Sequence, residues 1–297
     1  MNSEIRKDYL EDRYAIIAPK RAKRFRNTVG CPFCPENASK KQIIVPFSQT
    51  NHVAVYKNLF PAFTEANPKA YGHQEIVIDS PVHDKHFHEL SVAEIAAVLK
   101  AFADRVTVIK KNKKIKHVEV MKNYGEAAGA SIAHGHSQII GLGFVPRHLE
   151  HKTEKEHAYQ AKTGRCPYCD IIKKEIKTAR KIFADKNIFV FAPYASQFAY
   201  EARIFTRRHV DNVSLLNDAE RASLALALKN LTTSITGLNI AYNFYTHERV
   251  GDTDQHFYLK LTPRGAYWAG VELGTGLIIN SIPPEDAAKF YRAGFKQ

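Results

Sequence analysis

The stretch NYGEAAGASIAHGHSQI, Asn123 to Ile139, places His134 and His136 two residues apart among glycines, alanines and a serine. In extended backbone, residues i and i+2 point to one face, and Gly135 between them lets the chain approach a ligand or neighbour closely. A neutral imidazole is a good nucleophile toward phosphorus when its other nitrogen donates to a fixed acceptor, expected here to be a backbone carbonyl. If a metal holds His134, His136 stands rigidly beside it with its ring free for a substrate. Gly129, Ala130, Ser131, Ala133 and Gly135 leave room for phosphate oxygens to reach main-chain N–H groups. Asn123, Ser131 and Gln138 are neutral donors, able to stabilise charge that shifts during transfer without competing as nucleophiles.

The metal is suggested by the cysteines. All four fall in two C-P-aromatic-C units, CPFC (Cys31, Cys34) and CPYC (Cys166, Cys169). Two CxxC pairs with no stray cysteine point to metal rather than to disulfides in a reducing compartment. Zinc takes four tetrahedral thiolate and imidazole ligands, so distant histidines complete each set. One site is expected at Cys31, Cys34, His83 and His134, the other at Cys166, Cys169, His209 and His256. Closed four-ligand sets make both zinc ions structural. His86, His88, His148, His151 and His157 read as surface or helix-terminal residues.

The elements that must carry these residues occur twice. After each CxxC come strand-like segments, a histidine, a helix, a strand and a second histidine, in the same order. SVAEIAAVLKAFADRVTVI opens with Ser91 and Glu94, a capping box, and Val92, Ile95, Leu99, Phe102 and Val106 form one apolar stripe. NDAERASLALALKNLTTSITG repeats the pattern with Asn217 and Glu220, the stripe Leu224, Leu228, Leu231 and Ile235, and Gly237 as the C′ stop. The expected fold is α+β: duplicated units on a mainly antiparallel sheet with helices packed on it. The expected halves are residues 1–150, with the HGHSQ motif and first zinc site, and 151–297, with the second. Their boundary falls in the polar stretch 147–165.

Composition narrows the function classes. A chain of 297 residues has room for one large domain or two of about 150 residues. The formal charge of +13 suits an anionic partner such as a phosphate ester or nucleotide. The cluster KKNKKIK, Lys110 to Lys116, reads as a solvated turn between helix and strand, so nucleic acid is not the expected partner. No apolar run approaches a membrane span and the N-terminal segment is charged, so a cytoplasmic protein without a membrane partner is expected.

With these residues in place, the sequence resembles the galactose-1-phosphate uridylyltransferase family of the histidine-triad superfamily. The resemblance is carried by N-x7-S-x2-H-x-H-x-Q (Asn123, Ser131, His134, His136, Gln138), by CPFC, by SPVH with His83, and by YKNLFPAF around Asn58. It is strong over residues 30–146 and weaker over 166–262. Gly135 stands where the transferase usually has proline, and the second CxxC is more similar to the two-zinc, ADP-glucose-phosphorylase-like branch. The resemblance implies paired, half-barrel-like α+β repeats, often dimeric. It implies a nucleotidyltransferase that works through a covalent nucleotidyl-His136 on a nucleotide sugar or nucleotide and a phosphorylated acceptor. Gln138, Ser131 and Asn123 would contact the phosphates, and Asn58 and Phe60 the nucleoside. The alternatives are a nucleotide-sugar phosphorylase, a histidine-triad nucleotide hydrolase, or a catalytically silent, zinc-stabilised nucleotide- or RNA-binding protein.

Overall fold

A computed structural model of the chain describes residues 2–23, 30–249 and 251–295. Its strands are β1 (Glu4–Lys7), β2 (Tyr14–Ile17), β3 (Ile43–Val45), β4 (Ala54–Lys57), β5 (Gly72–Ile78), β6 (His117–Tyr124), β7 (His136–Leu142), β8 (Lys181–Ala184), β9 (Ile188–Phe191), β10 (Ala202–Thr206), β11 (Tyr242–His247) and β12 (Tyr258–Pro263). Its helices are α1 (Val92–Ile109), α2 (Arg147–Thr163), α3 (Pro167–Glu175), α4 (Asp218–Thr236), α5 (Gly270–Thr275) and α6 (Pro284–Gly294).

Ten strands form one sheet in the order β3-β4-β5-β7-β6-β11-β12-β10-β9-β8, and every pairing is antiparallel. Each half contributes five strands in the same relative order, and the halves meet edge to edge where β6 pairs with β11. Joining edges in this way removes two edge strands that would otherwise invite pairing with another chain. The α+β architecture and antiparallel sheet expected from the sequence are therefore present.

Both capping boxes form. Ser91 Oγ accepts from Glu94 N at 3.2 Å while the Glu94 carboxylate accepts from Ser91 N at 2.7 Å. Asn217 and Glu220 exchange the same pair of bonds, each at 2.9 Å. The stripes Ile95, Leu99, Phe102, Val106 and Leu224, Leu228, Leu231, Ile235 are buried in one core against one sheet face. The end of α4 differs from expectation. Gly237 keeps a right-handed φ of −60°, and the left-handed residue is Asn239 at φ 57°. Asn239 N donates to Thr236 O and Ile240 N to Ile235 O, a Schellman closure with asparagine at C′. Asparagine tolerates this conformation, so the glycine is not what stops the helix.

The two halves treat the other sheet face differently. The polar stretch read as a boundary is helix α2, ended by Gly164 at φ 68°; residue 150 lies inside it. With α3 it covers the second half, where Tyr168, Ile172, Phe189, Phe191, Phe205 and Tyr258 form a small separate core. The first half leaves a cleft on its corresponding face. The lysine cluster 110–116 is a turn from α1 into β6. No helix among the described residues is long and apolar enough to cross a membrane.

Candidate active site

Each CxxC turn lies against two histidines. In the first half, His134 Nδ1 lies 3.7 Å from Cys31 Sγ and 3.6 Å from Cys34 Sγ, and His83 Nδ1 lies 3.3 Å from Cys34 Sγ. In the second, His256 Nδ1 lies 3.9 and 3.5 Å from Cys166 and Cys169, and His209 Nδ1 lies 3.7 Å from Cys169. Within each quartet the ligand atoms all lie within 4.8 Å of one another. The rings are oriented for coordination. His134 Nε2–H donates to Ser80 O at 2.8 Å and His256 Nε2–H to Thr206 O at 2.7 Å. Each bond fixes the proton on Nε2 and leaves Nδ1 facing the sulfurs as an acceptor. Both quartets are metal-binding sets whose chemistry suits a closed tetrahedral ion.

His136 begins β7, and its ring faces the cleft. Its Nδ1–H donates to His134 O at 2.8 Å, so the lone pair sits on Nε2. Burial, with Lys122's charge adding to it, pushes its pKa down to about 4, so the ring is neutral at physiological pH. Phe33, the aromatic of CPFC, packs at 5.0 Å between ring centroids. The metal turn thus touches the candidate nucleophile directly. Gly135 is required by packing: a Cβ there would lie 2.5 Å from the Lys85 carbonyl oxygen.

A buried ion pair anchors the strand beneath. Lys122 Nζ donates to Asp79 Oδ2 at 2.5 Å and to His136 O at 3.0 Å, while Ser137 Oγ donates to Asp79 Oδ1 at 3.0 Å. Both ionic side chains are essentially inaccessible. These bonds cross-link β5, β6 and β7 at the root of His136. Such a pair is retained more readily for geometry than for stability, because desolvation offsets its attraction.

Three connected hollows converge on His136. The largest, about 610 Å³, is lined by Arg21, His86, Lys122, Asn123 and the backbone from Gly129 to His136. A volume of this size accommodates a small-molecule ligand. The N–H groups of residues 131–135 find no acceptor among the described residues. They form a run of main-chain donors beside His136, of the kind that binds anions. A narrow, more apolar hollow is walled by Phe33, Tyr56, Asn58, Phe60, Ile76 and Ile132, with Gln138 at its edge. Asn58 Oδ1 caps Phe60 N at 2.9 Å and so shapes that wall. The third hollow, about 330 Å³, brings Arg21, Gln74, Asn123, Ser131 and Gln138 around His136. The residues expected to contact nucleoside and phosphate, Asn58, Phe60, Asn123, Ser131 and Gln138, therefore line hollows that meet at His136.

Sequence reasoning missed several neighbours. His86 and His88 are half-buried rather than fully exposed: their rings stack at 6.0 Å, and both meet Tyr124 in T-shaped contacts at 4.9 and 5.3 Å. Burial, with Lys122 nearby, pushes the His86 pKa down to about 4. The element that brings them there is the turn after β5, whose path the sequence does not display. His148, His151 and His157 are exposed as expected. Arg21, which donates to Phe60 O at 3.1 Å, comes from the N-terminal segment. Phe33 did carry a signal, since both CxxC units hold an aromatic third residue.

Comparison with known proteins agrees with the geometry. The model for the galactose-1-phosphate uridyl transferase N-terminal domain matches residues 66–146. ADP-glucose phosphorylase of Arabidopsis thaliana is 29% identical over 97% of this chain and 92% of its own. Galactose-1-phosphate uridylyltransferase of Thermotoga maritima is 22% identical over 97% and 98%. The crystal structure of the Arabidopsis phosphorylase with bound ADP-glucose superposes with a TM-score of 0.80 at 28% identity, covering 98% of this chain and 99% of that one. A uridylyltransferase structure reaches 0.87 at 25% identity, covering 98% of each. Over nearly its whole length, the chain is thus similar to galactose-1-phosphate uridylyltransferases and to an ADP-glucose phosphorylase.

Proposed function

We propose that this chain is a nucleotidyltransferase that moves a nucleotidyl group from a nucleotide sugar to a phosphate-bearing acceptor through a covalent adduct on His136. The observation that carries this reading is the neutral ring of His136, with Nδ1–H held by His134 O and Nε2 open to the cleft. The Nε2 lone pair attacks the α-phosphorus, and the bond from that phosphorus to the bridging oxygen breaks. The sugar 1-phosphate leaves with the electron pair. A phosphate oxygen of the acceptor then attacks the same phosphorus, the N–P bond breaks, and the neutral imidazole returns.

In this reading Ser131, Gln138, Asn123 and the N–H groups of 131–135 hold the phosphate oxygens and stabilise their charge. Asn58 and Phe60 wall the nucleoside end. Cys31, Cys34, His83 and His134 hold one zinc ion, and Cys166, Cys169, His209 and His256 another. Zinc supplies structural cross-linking at both places. Residues 1–150 and 151–297 are read as two histidine-triad-like copies, supported by the matching strand order of the halves. Four unpaired thiols fit a reducing, cytoplasmic setting. A homodimer is supported by the exposed apolar side chains Tyr267, Leu273, Leu277 and Ile279 near the C-terminus; a monomer mass in solution would remove it.

The test is incubation with labelled ADP- and UDP-sugars. The chain is expected to acquire an acid-labile phosphoramidate that transfers on adding phosphate or a sugar phosphate. In His136→Ala the label should disappear with the fold and metal content intact. Label retained in that variant would take His136 out of its role.

A further inference from the structure

Asn123 reaches the phosphate cleft from β6, but what orients its amide comes from the other half of the chain. Asn243 on β11 lies directly opposite Asn123 across the seam between halves. Its Nδ2 donates to Asn123 Oδ1 at 2.7 Å and to the Ala128 carbonyl at 2.8 Å, and its Oδ1 accepts from Arg264 Nη1 at 3.5 Å.

The orientation follows from the partners' chemistry. A guanidinium only donates and a main-chain carbonyl only accepts. Arg264 therefore requires the carbonyl end of Asn243, and Ala128 O requires its NH₂ end. That NH₂ end in turn requires the carbonyl of Asn123. The NH₂ of Asn123 is left pointing toward the hollows it shares with His136. The bond to Ala128 O also pins the turn between Gly125 and Gly129, both at positive φ, that leads into the donor run at 131–135.

We propose that Asn243 is a positioning residue for nucleotidyl transfer: it sets Asn123 so that a donor, not an acceptor, meets the phosphates. The proposal rests on the reading of the cleft as a nucleotidyl-transfer site. It makes the second half a participant in the chemistry of the first, beyond holding its own metal.

Asn243→Asp separates positioning from mere support. A carboxylate cannot donate, so it draws the NH₂ of Asn123 toward itself and turns the Asn123 carbonyl to the cleft. The rate of adduct formation should fall roughly 100-fold, the scale of losing one charge-stabilising donor. In an Asn123→Ala background the same change should cost less than about threefold, because the residue it acts through is gone. Asn243→Ser, which keeps one donor, should fall between. Equal losses in both backgrounds, or no loss in Asn243→Asp with melting and metal content unchanged, overturn the proposal. A second readout does not depend on turnover. In the free protein, NMR should show the Asn243 side-chain NH₂ protected from exchange and that of Asn123 unprotected, with Asn243→Asp shifting protection to Asn123. A freely exchanging Asn243 NH₂ overturns the proposal even if the protein transfers nucleotides. The protection pattern stands by itself if no adduct forms, in which case the functional reading fails instead.

Discussion

Around the two metal quartets the halves are nearly the same, and two residues further on they part. His134 and His256 make the same bond to a carbonyl three residues before the other histidine ligand, Ser80 before His83 and Thr206 before His209. Phe33 packs against His136 at 5.0 Å, and Tyr168 against Tyr258 at 5.5 Å. But His136 faces a cleft, whereas Tyr258 is buried under α2. Lys152 donates to the Tyr258 hydroxyl and lies 4.6 Å over its ring, and Tyr168 donates to Glu156 of the same helix. The metal turn is thus a scaffold common to both halves. The proposed transfer needs an imidazole at the following position on that face and an open path to it. The second half has neither.

The largest effect should come from exchanging that position. His136→Ala should lower turnover by about 10⁴-fold or more, as for loss of a covalent nucleophile, with melting unchanged. Tyr258→Phe should leave turnover within a few-fold and lower the melting temperature, because Lys152 then loses its hydroxyl partner in a buried setting. A Tyr258 variant that loses the adduct would break the comparison. Next come the metal turns. Cys31→Ser should cost both stability and turnover, since it loosens His134 and Phe33 beside the nucleophile. Cys166→Ser should cost mainly stability. Melting curves, metal content and rates measured on both variants would decide it, and a second-site variant that melts normally yet is inactive would refute the division.

The smallest effect concerns a charge buried in the second half. Glu248 accepts from Val213 N and Thr246 Oγ1, and burial pushes its pKa up to about 7. The folded state keeps this proton to higher pH than the unfolded chain does. Its favourable contribution is therefore full below about pH 4.5 and is lost as pH rises through 7. Glu248→Gln should match the parent at pH 5 and exceed it at pH 8, by up to ~3 kcal/mol. Turnover should not change. An equal offset at both pH values would mean that the carboxyl is not held protonated.

What could be read from the sequence was whatever depends on short spacing. Both capping boxes, the CxxC turns and the HxH pair are local, and their partners follow from the chemistry of each residue type. The histidine ligands His83 and His209 were legible only because the pattern occurs twice. What could not be read depends on strand adjacency. Asp79 and Lys122 are each an ionisable residue in an apolar run, and nothing local says that β7 lies between their strands and ties them through His136 and Ser137. Asn243 and Asn123 meet only because β6 and β11 are edges that pair. The covering role of α2 escaped notice because its buried residues are Thr153 and Glu156 rather than an apolar stripe. The stop after α4 was misplaced by two residues, since asparagine rather than glycine takes the left-handed position.

The account depends on one imidazole being the site of transfer, and intact-protein mass followed by peptide mapping after exposure to nucleotide sugars tests it most directly. The predicted result is one nucleotidyl group per chain, located on His136, its mass naming the nucleotide. A group on any second-half residue, or turnover with His136 unmodified in rapidly quenched samples, would contradict it.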